Sequence, residues 1–471
     1  MENIVQYEER LPEVVARLKV AYPRFVSHHW VLQWEAYLQT RLQLQDRAVF
    51  CLCSLHAAKA LQRYVGFDHV MLFADETRAV VSVAPEGEAE EMARKFLQHT
   101  GVRISSREAE DLLIRNGLIP GATLERPSLD SSTTVRDALS DAIGAARRED
   151  VWLTISGMNS VFAAFNAIRD LQAAQSRTLW IQLGWLYVDT YEILNKFTGE
   201  GDQKILIPDP TDLDQLASFL DERGKEVAGI IAEFPTNPLV QTPDADRLRE
   251  LSRLHDVVLM VDPTVSSILN VNTMPYCDVL VTSLTKYIAH EGDVLMGLLA
   301  LNPQSPFYPE LKAIVPQYVE PPYHRDVQRV AQQLPHCQAV ARTVNANTGK
   351  LARYLQTHPG VKKVYWAYAD TNRERYRKIE RGDYSPGCLI TVDLAKPLAE
   401  VYDPCLISKG PSFGMVRTLI CPYMYMAHYD IVSDPAGRED LKDYGINPDL
   451  VRISVGVEPI EQIIDAFDEV L

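Results

Sequence analysis

The chain has 471 residues, 46% hydrophobic and 23% charged, an ordinary globular composition that argues against long disordered stretches. Its 63 acidic side chains outnumber 47 basic ones for a net charge of −16, which repels a nucleic-acid backbone unless a basic stripe compensates, and none is visible. No apolar stretch approaches the roughly 18 residues that span a bilayer, so neither nucleic acid nor membrane is an expected partner.

The opening residues, Met1 to Arg10, lack both a basic flank with an apolar core and a transit-like acidic deficit. The seven cysteines (51, 53, 277, 337, 388, 405 and 421) are odd in number, scattered and without metal-ligand spacing. Reduced structural thiols and a cytoplasmic location are the expectation. Ahead of residue 121, Ala57-Ala58-Lys59-Ala60-Leu61 reads as helix, while Val70-Met71-Leu72-Phe73 and the Val80, Val81, Val83 cluster read as strands. No motif there carries chemistry by itself. Ile119-Pro120-Gly121 and the run from Pro127 to Thr134 mark a boundary, giving an amino-terminal segment (1–130), a large domain (131–325) and a carboxyl-terminal α+β domain (326–471).

From residue 151 to 302 short apolar runs alternate with amphipathic segments, the pattern of crossover units on a mainly parallel sheet. The runs are Val151–Ile155, Thr178–Leu183, Lys204–Ile207, Val227–Ala232, Val257–Val261, Val279–Thr282 and Val294–Leu301, predicting seven strands. Between the fourth and fifth, Thr242-Pro243 offers a capping hydroxyl and a proline at the first helical position, and Ala245, Leu248 and Leu251 follow at helical spacing. Residues 303–325, rich in Pro and Tyr, mark the transition to the last domain.

Five features fall just past predicted strands. Ser156-Gly157-Met158 opens a helix whose first N–H groups favour an anion. Tyr187 offers a stacking face, Asn237 a hydrogen-bonding amide or a simple Asn-Pro turn, and Asp262 a carboxylate. Lys286 closes Ser283-Leu284-Thr285-Lys286. A lone lysine is usually a solvated side chain. Together, a lysine for a Schiff base, a carboxylate for a pyridine nitrogen and donors for a phosphate match the needs of pyridoxal 5'-phosphate. Near the other end, Arg452 in Val451-Arg452-Ile453-Ser454 could hold a substrate carboxylate in a bidentate fork.

Ser156-Gly157-Met158, Tyr187-Val188-Asp189-Thr190-Tyr191, Glu233-Phe234-Pro235-Thr236-Asn237-Pro238, Val261-Asp262, Ser283-Leu284-Thr285-Lys286 and Arg452-Ile453-Ser454-Val455-Gly456-Val457-Glu458 together resemble the cystathionine γ-synthase family of pyridoxal phosphate enzymes, which act in Cys/Met metabolism. The ordered match runs from residue 130 to 471. The Tyr-Val-Asp-Thr form at 187–190, Asn270-Val271-Asn272 with Pro275-Tyr276, and Tyr22-Pro23-Arg24-Phe25-Val26 are similar to the fungal-type branch. The resemblance implies an α/β protein of the PLP-dependent transferase fold type I. It would have a large domain with a mainly parallel seven-stranded sheet and a smaller α+β carboxyl-terminal domain.

The resemblance implies Lys286 as Schiff-base lysine and proton shuttle, Asp262 as pyridinium partner and Tyr187 as stacking ring. Ser156, Gly157, Met158, Ser283 and Thr285 are expected around the phosphate, Asn237 near the ring hydroxyl, and Arg452 with Ser412 at the substrate carboxylate. Ser412 rests on Gly410-Pro411-Ser412-Phe413-Gly414, a loose match. In one departure, the family's Tyr-x-Arg, which reaches the neighbouring subunit's phosphate, is replaced by the tyrosine-free stretch Glu125 to Thr134, with Arg126 as a candidate substitute. A homodimer or homotetramer acting on small amino-acid substrates is implied. The expected reaction is γ-substitution on O-acetyl- or O-succinylhomoserine with cysteine, giving cystathionine for methionine biosynthesis. A different amine, thiol or carbon nucleophile, γ-elimination, and a non-catalytic binding role stand as alternatives.

Overall fold

The computed structural model describes residues 1–15, 17–18, 22–74, 79–121, 131–144, 147–199 and 203–471. Arg126 and the rest of its stretch through Asp130 lie outside them. Three sheets organise the chain. The first has strands β1 (Ala48–Leu52), β2 (Met71–Ala74) and β3 (Ala79–Val83) in the antiparallel order β1-β3-β2.

The second sheet contains β4 (Val151–Thr154), β5 (Leu179–Leu183), β6 (Gln203–Ile207), β7 (Val227–Glu233), β8 (Val258–Asp262), β9 (Val279–Ser283) and β10 (Gly297–Leu301), in the order β4-β10-β9-β8-β7-β5-β6. All seven predicted strands exist, and every pairing from β9 across to β6 is parallel. Only β10 runs against both its neighbours. The expected seventh strand is trimmed, because Val294 to Met296 precede the ladder. The third sheet, with β11 (Val361–Tyr365), β12 (Leu389–Leu394), β13 (Ser408–Lys409), β14 (Leu419–Cys421) and β15 (Val451–Ser454), runs in the order β11-β12-β15-β14-β13.

Side chains on the strands alternate between the faces of the large sheet, as period-two geometry requires. Leu179, Ile181, Leu183, Leu259 and Val261 pack into a core shared with helix His324–Thr357 and the third sheet. Trp180, Val258 and Met260 face the opposite core, which contains helix Gly157–Ala173 and, from the first sheet, Phe50, Leu52, Val81 and Val83. The first sheet is therefore built onto the back of the large one. The predicted helix after β7 spans Ala245–Leu254, but its cap is Asp244, which accepts from the Arg247 N–H at 3.3 Å, and not Thr242. Thr242 is held outside the helix by its N–H, donated to Asn372 at 2.7 Å.

Candidate active site

Strands β7, β8 and β9 are parallel, so their carboxyl ends come out side by side and bring Glu233, Asp262 and Ser283 to one edge. Glu233 and Asp262 are direct register partners. This edge is where open α/β sheets bind ligands. A cavity there is lined by Ser156, Gly157, Met158, Tyr187, Asn237, Asp262, Ser283, Thr285, Lys286 and Arg452, ten of the eleven residues singled out from the sequence. The eleventh, Ser412, lines an adjoining wider cleft, and its hydroxyl accepts from Lys286 Nζ at 3.1 Å.

At the anion end, the Ser156 hydroxyl caps helix Gly157–Ala173 by accepting from the Asn159 N–H at 3.0 Å, and donates to the Gly101 carbonyl at 2.9 Å. The N–H groups of Gly157 and Met158 then have no partner among the described residues, and neither does Ser283 Oγ. Gly157 is required for the close approach, since a Cβ there would lie 2.7 Å from Ser283 Cβ. Thr285 is placed differently from a free ligand. Its Oγ1 donates to the Met296 carbonyl at 3.3 Å and accepts from the Met296 N–H at 3.1 Å.

At the other end, Asp262 Oδ1 accepts from the Thr264 N–H at 2.8 Å and from the Thr264 hydroxyl. No cation pairs with it among the described residues. Its seat in the cavity wall, out of bulk water, pushes the carboxyl up to about 6, against the pull of those hydrogen bonds. Burial and the neighbouring Asp262 push Glu233 well above the carboxylate range; Glu233 accepts from the N–H groups of Tyr187 and Asn237. Burial lowers Lys286, opposed by the nearby Tyr22 phenol and helped by Arg452 and Arg24.

Arg452, on the middle strand of the third sheet, is 2% exposed. One of its NH groups donates to Asn237 Oδ1 at 3.1 Å, and the other to the Pro411 and Ser412 carbonyls. It has no carboxylate partner among the described residues, an expensive state for a buried guanidinium unless a ligand supplies the anion. The Asn237 amide nitrogen donates to Tyr423 OH at 3.2 Å, so Asn237 links the third sheet to the edge of the large one.

Sequence reasoning did not assign Glu233 or Thr264 to the site, and it used Tyr22 and Arg24 only as marks of a branch. Both amino-terminal residues line the cavity. The Arg24 side chain is 6% exposed and pairs with the fully buried Asp189, and it donates also to Tyr187 OH and to the Gln98 carbonyl. Asp189, held well below the carboxylate range by Arg24 and His99 despite its burial, accepts from Gln98 as well. Lys286 Nζ lies 4.7 Å from the Tyr22 ring centroid. The legible signal was a tyrosine and an arginine two residues apart, the pair missing from the stretch after Glu125.

These groups fit pyridoxal phosphate. Two unpartnered helix N–H groups and a free hydroxyl are available to an anion, an uncompensated carboxylate to a ring cation, an aromatic face to the ring, and a lysine to the aldehyde. Fold and site define a PLP-dependent enzyme of fold type I. The chain belongs to the family of Cys/Met metabolism PLP-dependent enzymes, whose profile matches residues 131–471, and pyridoxal 5'-phosphate is its cofactor.

Among curated relatives, L-2-amino-4-chloropent-4-enoate dechlorinase/desaturase of Streptantibioticus cattleyicolor is 37% identical over 468 residues, covering 99% of this chain and 93% of its own. Cystathionine gamma-synthase of Neurospora crassa is 35% identical over 336 residues, 70% of this chain and 53% of its own length. Among solved structures, metB from Corynebacterium glutamicum superposes with a TM-score of 0.61 at 22% identity, over 75% of this chain and 88% of that one, a likeness of fold. The chain is thus a cystathionine γ-synthase-like PLP enzyme. Among its described residues no helix is long and apolar enough to cross a membrane, and no His, Cys, Asp and Glu side chains group as metal ligands.

Proposed function

We propose that the enzyme removes a leaving group from the γ-carbon of an L-α-amino acid by elimination. The observation that carries this reading is the cavity's charge inventory. Its cations are Arg24, Lys286 and Arg452; Arg24 is taken by Asp189, and Lys286 is needed for the cofactor and the proton. That leaves one guanidinium for one carboxylate, while Val161, Val188, Val265, Leu295, Phe413 and Met426 line the rest. A cysteine nucleophile brings a second carboxylate, for which this cavity offers no further cation, those of the adjoining cleft, such as Lys409, lying outside it. The similarity to the dechlorinase/desaturase supports the reading, because it extends through the amino-terminal residues that line the cavity.

When bound, pyridoxal phosphate supplies the electron sink that lets bonds beside the substrate amine break. Gly157, Met158 and Ser283 would hold its phosphate, Asp262 its ring nitrogen and Tyr187 its face. Arg452 fixes the substrate carboxylate, and this orients the carbon chain toward Lys286. Lys286, as a free amine, would take the α-proton, give it up, and then take a β-proton, with one proton returned to the α-carbon so that the substrate loses HX overall, and burial, which lowers its pKa, keeps it competent as a base. The γ-substituent then leaves with the electron pair of its bond to carbon. A halide and an acyloxy group both fit that role.

The similarity to the Neurospora synthase favours a second reading, γ-substitution with cysteine on an acylated homoserine. The assembly as a homodimer or homotetramer and the cytoplasmic location belong to the same proposal. Purified, cofactor-loaded enzyme given L-2-amino-4-chloropent-4-enoate or O-acetyl-L-homoserine, with and without cysteine, separates the two by mass spectrometry. Elimination predicts release of chloride or acetate without cysteine, at a rate that cysteine does not raise. Turnover that requires cysteine and yields cystathionine would overturn it in favour of the second reading.

A further inference from the structure

No step of the proposed mechanism uses Tyr423, yet this residue closes a ring of contacts around the guanidinium that awaits the substrate. It begins the short helix Tyr423–Ala427, two residues beyond Cys421, the register partner of Arg452 on the neighbouring strand. It stands in the cavity wall and is 3% exposed. Its ring centroid lies 4.8 Å from Arg452 Cζ, and that of Phe413 lies 5.4 Å away. Aromatic faces attract a desolvated guanidinium, so the two rings steady a cation that no carboxylate of the described residues holds.

Donor and acceptor capacity fixes where the hydrogens of this ring of contacts lie. Arg452 only donates, so the Asn237 atom 3.1 Å from it is the amide oxygen. The amide nitrogen, which also only donates, then faces the Tyr423 oxygen at 3.2 Å. The phenol oxygen therefore accepts, and its own hydrogen finds no acceptor among the described residues. Burial, opposed by the Arg452 charge, pushes the phenol above its ordinary value, so that hydrogen stays in place. A buried donor without an acceptor is costly unless a ligand supplies one. Two such donors, a phenol and a guanidinium, stand here at the two ends of one Asn237 amide, at neighbouring points of the cavity wall.

We infer that Tyr423 is a substrate-binding residue whose hydroxyl donates to the carboxylate that Arg452 draws into the cavity. The inference rests on the placing of the substrate carboxylate at Arg452. The carboxylate is then held by a cation and a neutral donor together, and it satisfies both buried groups at once. Asn237 is the brace between them, since its amide oxygen fixes the guanidinium and its amide nitrogen turns the phenol oxygen so that the hydroxyl hydrogen is left for the ligand. The pair selects a free carboxylate over an amine that lacks one.

Tyr423→Phe keeps the ring beside Arg452 and removes only the hydroxyl. The loaded enzyme is titrated with L-norvaline and, separately, with n-butylamine, which lacks only the carboxylate, and binding is read from the visible absorbance of the cofactor. We expect the norvaline dissociation constant to rise about 10- to 100-fold, with the butylamine constant unchanged. Norvaline has no γ-leaving group, so this result stands whether the elimination reading holds or fails. Arg452→Gln should show the same selective loss, and native binding of norvaline by that variant would overturn the inference together with its premise. Replacement of Tyr423 by 3-fluorotyrosine keeps every atom of the phenol and makes its hydroxyl a better donor and a poorer acceptor. Norvaline should then bind more tightly than to the native enzyme, and this holds as a test even if the phenylalanine variant takes up no cofactor. Equal losses for both amines in Tyr423→Phe, no loss for either, or weaker norvaline binding by the fluorotyrosine enzyme would overturn the assignment.

Discussion

Asp262 shows how far a single position can be argued. Without a ring cation beside it, its carboxyl sits at about 6 against an ordinary 3.8, so the folded cofactor-free protein binds this proton more tightly than the unfolded chain does. A raised carboxyl stabilises the fold fully below the unfolded value, and that contribution is lost as pH rises through about 6. Above that pH the cofactor-free protein carries a strained carboxylate costing up to roughly 3 kcal/mol. Asp262→Asn should therefore raise the melting temperature of the cofactor-free protein at pH 8 and leave it little changed at pH 4, while abolishing turnover of the loaded enzyme. A variant less stable than the native protein at pH 8 would show that the carboxylate has a cation partner. Asp262 and Lys286 were legible in the sequence because each follows an apolar strand, and a strand end at an open sheet is a predictable place. Glu233 was not, since its role depends on standing beside Asp262 in the register, and a single strand does not reveal its neighbour.

At the scale of elements, the amino-terminal segment is the part that sequence patterns least reveal. The seven strands of the large sheet announce themselves by local apolar runs, and helix Ala245–Leu254 by its spacing, even though its cap fell two residues away from the one expected. Arg24 meets Asp189 across 165 residues of sequence, and beyond the Tyr-x-Arg spacing at 22–24 nothing local marks the pairing. The pair, with the Arg103 bond to the Ser27 hydroxyl, ties residues 22–27 to the body of the protein. Removing one side of a buried pair leaves the other charged and unmatched, at a cost of about 3–5 kcal/mol. Arg24→Ala should lower the melting temperature and speed hydrogen exchange at the backbone amides of residues 22–27, with helix Gly157–Ala173 unaffected. Protection of that segment equal to the native protein's would mean that other contacts hold it.

Over the whole molecule, the site is made where the large sheet, the third sheet and the chain around residues 22–25 meet. The large sheet supplies Asp262, Ser283 and Lys286 at its carboxyl edge, the third sheet delivers Arg452 through Asn237, and the amino-terminal part adds Tyr22 and Arg24. The first two contributions follow from fold and motif, and were legible in advance. The third required the tertiary structure. The account's central claim is that this assembly works at the γ-carbon, which demands proton removal from both the α- and the β-carbon. The direct test is nuclear magnetic resonance of an L-amino acid lacking a γ-leaving group, such as L-norvaline, incubated with the loaded enzyme in deuterium oxide. The account predicts deuterium at both Cα and Cβ with the native enzyme and at neither with Lys286→Ala; exchange confined to Cα would contradict it.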